Sequence, residues 1–457
     1  MNHLLFKIFP LIVKADQNVK TITIQASGHS CTGKRILDKT HQVRKIVMGG
    51  PVDPAAPEWR QPEALLPFDR LENGDLEVRL TCPAEDEYML ALEDENGTEV
   101  QRFSIYALKE DLFNLRPYKG DFHIHSCNSD GKETASYVAA SCRKIGFDFM
   151  ALTDHCRYEP SLEAMEAMKK MDTDMLCCPG EEVHLPGTTV HVVNAGGLFS
   201  VNGLLPMKEN YLDTNGELSK RRFDESVTPP DVLKMDDFWQ QIADIESTLT
   251  VPEGVDAKSY AVCLWIFDKI REAQGLGIFA HPYWIQDLWQ IPEKFTRFML
   301  KNHPFDAFEV LGGENYYQQN GYQAALYYDE YRYGRVHPIV GSTDSHSSMP
   351  TNRNWDICST ILFATENTRE AILQAVKEKY SVAVDTISKE YRLVGEFRLQ
   401  KYACFLMENY FPIHDKQAAI DGELTYQYAI GNATKEELEL IASRAETLMK
   451  KYILLKA

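Results

Sequence analysis

The amino-acid sequence predicts a mixed α/β chain, with a β-rich N-terminal region followed by a longer body of alternating strands and helices. Three observations carry this. Residues 1–115 contain short alternating runs (Lys20–Ile24, Leu76–Thr81, Tyr88–Leu92, Glu99–Tyr106) separated by turn clusters such as Glu72-Asn73-Gly74-Asp75 and Asp94-Glu95-Asn96-Gly97. That pattern is characteristic of a small antiparallel sheet or sandwich. From residue 118 the rhythm becomes strand, helix, strand, which implies a parallel barrel or a doubly wound sheet. After Lys389 the pattern is mostly helical.

The chain has 457 residues, too many for one ordinary core. The division expected is residues 1–115 as an all-β, sandwich-like accessory domain and 118–388 as the βα body. An insertion falls at about 199–256, and 389–457 form a mostly helical extension.

Taken in order, Leu4–Val13 is apolar enough to raise the question of a signal peptide. Lys7 interrupts it and no small-residue cleavage site follows, so it reads as a strand. The Pro-rich stretch Gly49–Pro62 is a long loop. Asp121–His125 is a strand, and Thr134–Ile145 carries Ala135, Val138, Ala139, Cys142 and Ile145 at helical spacing until Gly146 stops it. Phe147–Thr153, Met175–Leu185 and Thr189–Ala195 are strands, and the polar, Pro-interrupted 199–256 segment reads as an insertion or lid. Further on, Ala257–Ala273, Gln318–Tyr333 and Thr368–Glu378 are helical, whereas Gly277–Ala280, Asp306–Leu311, His337–Ser342 and Ser381–Val384 are strands. A last helix starts at Thr434 with Glu437 completing a capping box, its stripe being Leu438, Ile441, Ala445, Leu448, Tyr452 and Leu455.

Composition narrows the function. Apolar residues at 44% and charged residues at 25% are those of a globular protein. The excess of 67 Asp+Glu over 48 Lys+Arg gives a formal charge of −19, a surface that repels a long nucleic acid but leaves room for a small anionic substrate. Ten scattered cysteines include no C-x-x-C pair, which points away from a zinc ribbon or thioredoxin-type site and toward reduced thiols in a cytoplasm. No run approaches the ~20 apolar residues of a membrane helix.

The residues with chemistry stand at strand ends. His123 and His125 are two apart on an extended segment, so both rings point to one side. Asp130 follows in Ser129-Asp130-Gly131, and Asp154-His155 ends the next strand. Glu182 and His191 lie on two runs that form a hairpin or adjacent strands, parted by Pro186-Gly187. His281 ends Ile278-Phe279-Ala280-His281-Pro282, and Asp344 and His346, again two apart, close the strand 339–342. Imidazole together with carboxylate suits zinc, manganese or iron. In a parallel barrel such ends meet at one face, so ligands distant in sequence converge.

These motifs resemble those of the PHP (polymerase and histidinol phosphatase) family. Gly120-Asp121-Phe122-His123-Ile124-His125-Ser126, with Ser129-Asp130-Gly131, is similar to its first motif, and Ala151-Leu152-Thr153-Asp154-His155 to its second. Gly180-Glu181-Glu182 with His191 resembles the third, Ala280-His281-Pro282 another ligand-bearing strand end, and Gly341-Ser342-Thr343-Asp344-Ser345-His346 the last. The similarity covers roughly 118–385. It implies a distorted (β/α)7 barrel and a trinuclear metal site, with His123, His125, Asp130, His155, Glu182, His191, His281, Asp344 and His346 as ligands for two or three ions (zinc, manganese or iron). The G-x-E register leaves Glu181 as an alternative to Glu182. His184 reads as an exposed strand residue, with a substitute-ligand role left open. An Arg-Pro-His signature of the nucleotide-cleaving branch is not evident, so no substrate carries over from it.

Outside the ligand set, Arg157 is the first choice for contacting phosphate, with Lys132 and Arg143 weaker. Glu309 ends a strand as a supporting or substrate-contacting carboxylate, and Asp154 suits orienting His155 or a neighbour by hydrogen bonding. Ser345 has no nucleophile elbow around it. The remaining histidines, among them His29, His41, His303, His337 and His414, read as structural. The function expected is a metal-dependent phosphoesterase acting through a metal-activated hydroxide on a small phosphorylated substrate. Amide or lactone hydrolysis by the same centre is the first alternative, and a non-catalytic metal-bound binding protein the second.

Overall fold

The structure, a computed structural model, describes residues 5–28, 30–47, 65–171, 173–207, 222–224, 226–285, 289–312, 317–348, 358–386 and 392–453. It comprises two compact units: residues 1–116 with 401–417 and 443–457, and residues 117–400 with 418–442.

In the first unit, alternation of apolar and polar residues builds two four-stranded sheets. One is ordered Phe6–Phe9, Asp16–Ala26, Leu76–Cys82, Phe68–Arg70; the other Ile12–Lys14, Glu99–Leu108, Asp86–Glu93, Gln42–Val47. Pairings are antiparallel except that Ile12–Lys14 runs parallel to Glu99–Leu108. Leu76, Val78, Leu80 and Cys82 are buried in strict alternation, as a sheet with one core face requires. Phe6 meets Phe103 edge-on, ring centroids 5.0 Å apart.

Two differences from the sequence reading stand out here. The unit is not all-β: Cys31–Lys39 is a helix whose N-terminus is capped by Ser30, its side chain accepting from the Gly33 N–H. The run expected as one strand over Leu4–Val13 is two, Phe6–Phe9 and Ile12–Lys14, in different sheets. Pro10, with no N–H to give a ladder, parts them. The loop expected at Gly49–Pro62 lies outside the described residues.

The second unit carries the βα rhythm. Six strands are ordered Leu176–Cys178, Phe149–Ala151, Arg116–Asp121, Cys358–Ala364, Ser381–Asp385, Arg392–Val394, and five more are ordered Gly180–Val183, Val192–Ala195, Leu276–Phe279, Ala307–Leu311, Ile339–Gly341. Parallel pairs are separated in sequence by helices, including Ala135–Lys144, Glu293–Asn302 and Tyr317–Tyr331. Gly180–Val183 and Val192–Ala195 form an antiparallel hairpin, and Val192–Ala195 is antiparallel to Leu276–Phe279 as well.

The sheets are stitched together just past their strand ends. Ile124 bridges Ser345 and His155 bridges Glu182, both in parallel sense. His125 N–H donates to Ser345 O at 2.9 Å, Asp344 N–H to His123 O at 2.9 Å and Glu182 N–H to Asp154 O at 3.2 Å. Among the described residues these bridges join two open sheets and do not make one continuously paired barrel.

The 199–256 segment is less peripheral than its polarity suggests. Asn202–Leu204 is a buried 3-10 turn. The helix Met235–Ser247 buries Phe238 and Ile242, Phe238 meeting Trp265 edge-on at 5.2 Å. In the tail, the Thr434/Glu437 capping box forms. The helix it starts ends at Glu439, however, and a second runs Arg444–Tyr452 after Ser443, which has φ 57°. The single stripe is thus divided: Leu438 packs with Val138, Ala139 and Met150 of the second unit, whereas Ala445, Met449 and Tyr452 are buried in residues belonging to the first.

Candidate metal centre

Period-two alternation sets the first pair. His123 and His125 follow the strand Arg116–Asp121 on one face, and both are buried. His123 Nδ1 lies 2.9 Å from Glu309 Oε2, which fixes its proton on that nitrogen and turns Nε2 inward. There Nε2 is 3.4 Å from both Glu182 Oε2 and Asp344 Oδ1. His125 Nε2 is 2.9 Å from the same Asp344 oxygen and 3.6 Å from Glu182 Oε2.

Glu182 is the hub. The hairpin Gly180–Val183/Val192–Ala195 buries it completely. Its Oε2 is 2.5 Å from His155 Nδ1; its Oε1 is 2.7 Å from His191 Nδ1, 3.4 Å from His184 Nε2 and 3.5 Å from His281 Nε2. Among the described residues neither oxygen has a hydrogen bond of acceptable geometry. His191 arrives from the amino end of its antiparallel strand, not the carboxyl end, and its Nε2 sits 2.7 Å from the Gln290 side-chain amide.

The register question has a physical answer. Glu181 points the other way and accepts from Asn194, Ser200, Asn202 and the Val201 N–H. Its oxygens are therefore consumed, whereas those of Glu182 are not.

A second group lies beside this hub. Asp130 Oδ2 is 3.5 Å from His155 Nε2, and Asp130 Oδ1 is 3.2 Å from His346 Nε2. The other nitrogen of His346 donates to the Asp344 carbonyl at 2.8 Å. Ligand atoms within 4.8 Å of one another occur in four sets: His125, Asp130, His155, His346; His123, Glu182, His281; His123, His125, Asp344; and His155, Glu182, His184. All nine residues singled out from sequence are thus brought to one place.

The three supporting residues fare differently. Glu309 is buried against His123. Among the described residues Asp154 has no imidazole partner; it accepts from Ser126 N–H at 2.8 Å, Ser126 Oγ at 2.7 Å and Ser129 Oγ at 2.6 Å, holding the loop that carries Asp130. Arg157 is half-buried two residues past His155, and among the described residues no acceptor engages its guanidinium. Arg143 is not available to a substrate, because it is buried between Asp148 and Asp421 at 3.2 and 2.7 Å. Lys132 is exposed.

Packing so many titratable groups together pulls their pKa values apart. Burial pushes the Glu182 carboxyl up, but the charges of His191, His123 and His155 outweigh it and hold it well below the usual range. Burial likewise opposes the His155 imidazolium, yet Glu182 and Asp130 lift it to about 10. For His191 burial wins, with a pKa of about 4. Asp121, which accepts from the His123 and Thr343 N–H groups, is raised by burial to about 7. Asp344 and His281 also occupy positive φ, 47° and 22°, and such strain concentrates at functional sites.

Sequence reasoning passed over three residues here, Asn202, Gln290 and Trp284, whose ring lies 6.1 Å from that of His281, and it left His184 outside the ligand set with a substitute role open. His184 alone had a signal, since it stands two after Glu182 on an extended segment.

No protein-family model matches the chain. Over 64 residues it is 41% identical to the DNA polymerase/3'-5' exonuclease PolX of Bacillus subtilis, a match spanning 14% of this chain and 11% of that one. Among solved structures, one similar chain is a two-domain protein of Bacteroides vulgatus described as containing a PHP-like metal-dependent phosphoesterase. The TM-score is 0.38 and the identity 17%, over 60% of this chain and 66% of that one. Another, from Bifidobacterium adolescentis and described as a metal-dependent phosphoesterase, has a TM-score of 0.31 and 15% identity, over 51% and 89%. A third is an amidohydrolase of Chromobacterium violaceum with bound sulfate, TM-score 0.30 and 14% identity, over 51% and 88%. The chain resembles PHP-type proteins in its motifs.

Proposed function

We propose that this chain is a metal-dependent hydrolase whose substrate is a small phosphoester. One observation carries the reading. Glu182 is a fully buried carboxylate that, among the described residues, has no hydrogen bond of acceptable geometry to either oxygen, and six imidazole nitrogens stand within 3.6 Å of it. A charge so placed is costly without a cation, and imidazole with carboxylate is the donor set of zinc, manganese or iron. The residues fit the ions. His123, His125, Asp344 and Glu182 would hold one, Glu182, His191 and His281 a second, and Asp130, His155 and His346 a third. The unit that bears them is read as a distorted (β/α)7 barrel, its two sheets being its halves, and no described residue of the N-terminal unit is among the ligands.

When bound, divalent ions supply Lewis acidity, which acidifies water and offsets charge on a phosphoryl oxygen. The protein's own residues do the rest. Glu309 and the Asp344 carbonyl hold protons on His123 Nδ1 and His346 Nδ1, keeping the other nitrogens free to ligate. Asp154 fixes the Asp130 loop. Arg157 offers a guanidinium to a substrate phosphate.

The test is hydrolysis of phosphomonoesters, phosphodiesters, amides and lactones by metal-loaded and chelated protein. Turnover of a phosphoester that chelation abolishes and manganese or zinc restores supports the proposal. Amide or lactone turnover alone would leave the centre and remove the phosphate assignment. That second reading has an observation behind it: with Arg143 consumed by Asp148 and Asp421 and Lys132 exposed, Arg157 is left to bind phosphate among the three cations considered.

A further inference from the structure

His184 is the side chain in the cluster that the motif resemblance leaves without a task. It follows the strand Gly180–Val183, and alternation puts it on the face of Glu182. Its backbone is held rigidly: the His184 N–H donates to Asn202 Oδ1 at 3.1 Å, while Asn202 Nδ2 donates to the Glu182 carbonyl at 3.0 Å. Asn202 is itself fully buried and also bonds Glu181 Oε2 at 3.0 Å. This clip fixes residues 181–184 as a unit, so the His184 ring is placed with the precision of its neighbours.

We propose that His184 is a tenth metal ligand, giving Nε2 to an ion that Glu182 also holds. This rests on the metal-centre reading above and adds to it the chemistry of one position. His184 Nε2 is 3.4 Å from Glu182 Oε1 and 3.2 Å from His155 Nδ1. Two ligand atoms in a tetrahedral zinc shell with bonds of about 2.0–2.1 Å stand about 3.3–3.4 Å apart, so the separation from Glu182 Oε1 is that of ligands sharing an ion. The ring stacks on His191 with centroids 4.0 Å apart and a 29° angle, so its edge faces the same carboxylate oxygen. With a side chain 30% exposed against 0–3% for His123, His125 and His281, His184 closes the cluster on its solvent side. A position with an added imidazole is biased toward zinc or cobalt over manganese, which favours oxygen ligands.

The experiment loads metal-stripped protein with cobalt(II), and separately with zinc and manganese. It compares wild type with His184→Ala, His184→Asn and His184→Asp, with His123→Ala as the control. Bound equivalents, affinities and the cobalt visible spectrum are read, with far-UV circular dichroism confirming folding. If His184 ligates, His184→Ala and His184→Asn lose one zinc equivalent or bind one ion weaker by at least the roughly 10–100-fold that loss of a supporting partner costs. Their cobalt spectra change, and zinc suffers more than manganese. His184→Asp, which supplies a carboxylate, recovers the lost equivalent. Unchanged equivalents, affinities and spectra in His184→Ala overturn the proposal while His123→Ala still loses metal. Equal recovery by Asn and Asp also overturns it, showing a hydrogen-bonding role. If wild type itself takes up no divalent ion, the centre fails and not merely this ligand.

Discussion

Two sets of buried side chains in this molecule obey opposite rules. In the first unit the inward face of Leu76–Cys82 is Leu76, Val78, Leu80 and Cys82, beside it on the neighbouring strand lie Ile22 and Ile24, and the other sheet adds Phe103 and Ile105, all of them apolar and almost wholly buried. In the second unit the residues just past the strand ends are His123, His125, Glu182, His281 and Asp344, buried as deeply or nearly so. The first set loses nothing on leaving water and gains about 25 cal/mol per Å² of apolar surface. The second carries charges and orphaned nitrogens whose desolvation is repaid only by protons or cations. One interior is complete as a polypeptide. The other, on the proposed function, is complete only with ions bound.

The largest expected effect lies in the second set. Asp344→Asn or His123→Ala removes a ligand from the hub, and kcat/KM should fall by roughly 1000-fold or more, the several kcal/mol a catalytic ion contributes. Bound metal should fall with it while the circular dichroism of the folded protein is retained. Wild-type turnover in either variant would end the distinction between the two interiors. Next in size is Phe103→Ala, in the apolar set. It should cost about 3–5 kcal/mol in denaturant unfolding, with metal equivalents per folded chain unchanged. A parallel loss of metal would show that the interiors are not separable.

Acid and base should also tell the two sets apart, and the sign follows from the shifts. His155 in the metal-free fold has its pKa raised to about 10, so its contribution to stability is full below the ordinary histidine value of about 6.5 and is lost as pH rises through 10. A bound ion replaces that proton, so the gap in melting temperature between metal-loaded and metal-free protein should widen from pH 7 toward 10. His191, lowered to about 4, contributes above its ordinary value and loses that contribution as pH falls through 4. Acid therefore also strips metal. A gap that stays flat over pH 7–10 would contradict the proton-for-ion exchange. Glu309→Gln comes next, with a weakening of metal affinity of about 10–100-fold and an unchanged core, because the carboxamide still reaches His123 but no longer fixes its proton.

Much of the centre was legible because metal ligation demands few residue types at fixed spacings. His123/His125 and Asp344/His346 announce themselves by period two after apolar runs, and the structure brings all nine positions together. What stayed illegible depends on three-dimensional accounting. Glu181 and Glu182 are equivalent in sequence, and only the Asn194, Ser200, Val201 and Asn202 donors gathered around Glu181 separate them. Arg143 reads as a free cation until Asp421, 278 positions away, is found on it. The tail stripe from Leu438 to Tyr452 looks continuous because periodicity does not register a left-handed residue such as Ser443. Parallel strand ends are visible in sequence, whereas whether two sheets pair into a closed barrel depends on register, which leaves no local mark.

The smallest predicted effect sharpens the comparison most, because it separates holding the ion from holding the substrate. Arg157 stands at the edge of the buried charged set, half-exposed and without an acceptor among the described residues. It ligates nothing, so Arg157→Ala should leave metal equivalents and the cobalt spectrum as in wild type. A charge-assisted hydrogen bond to phosphate is worth about 1.5–3 kcal/mol when well formed. Partial exposure reduces that, so KM for a phosphomonoester should rise by roughly tenfold, with kcat changed far less, the pattern of lost ground-state binding. Arg157→Lys should recover part of the loss, since it keeps the charge but not the forked donor geometry. A neutral amide or lactone gives Arg157 no phosphate to meet, and its KM should not respond. An unchanged KM for phosphoesters would therefore shift the substrate assignment toward carbonyl compounds, with the histidine and carboxylate cluster untouched.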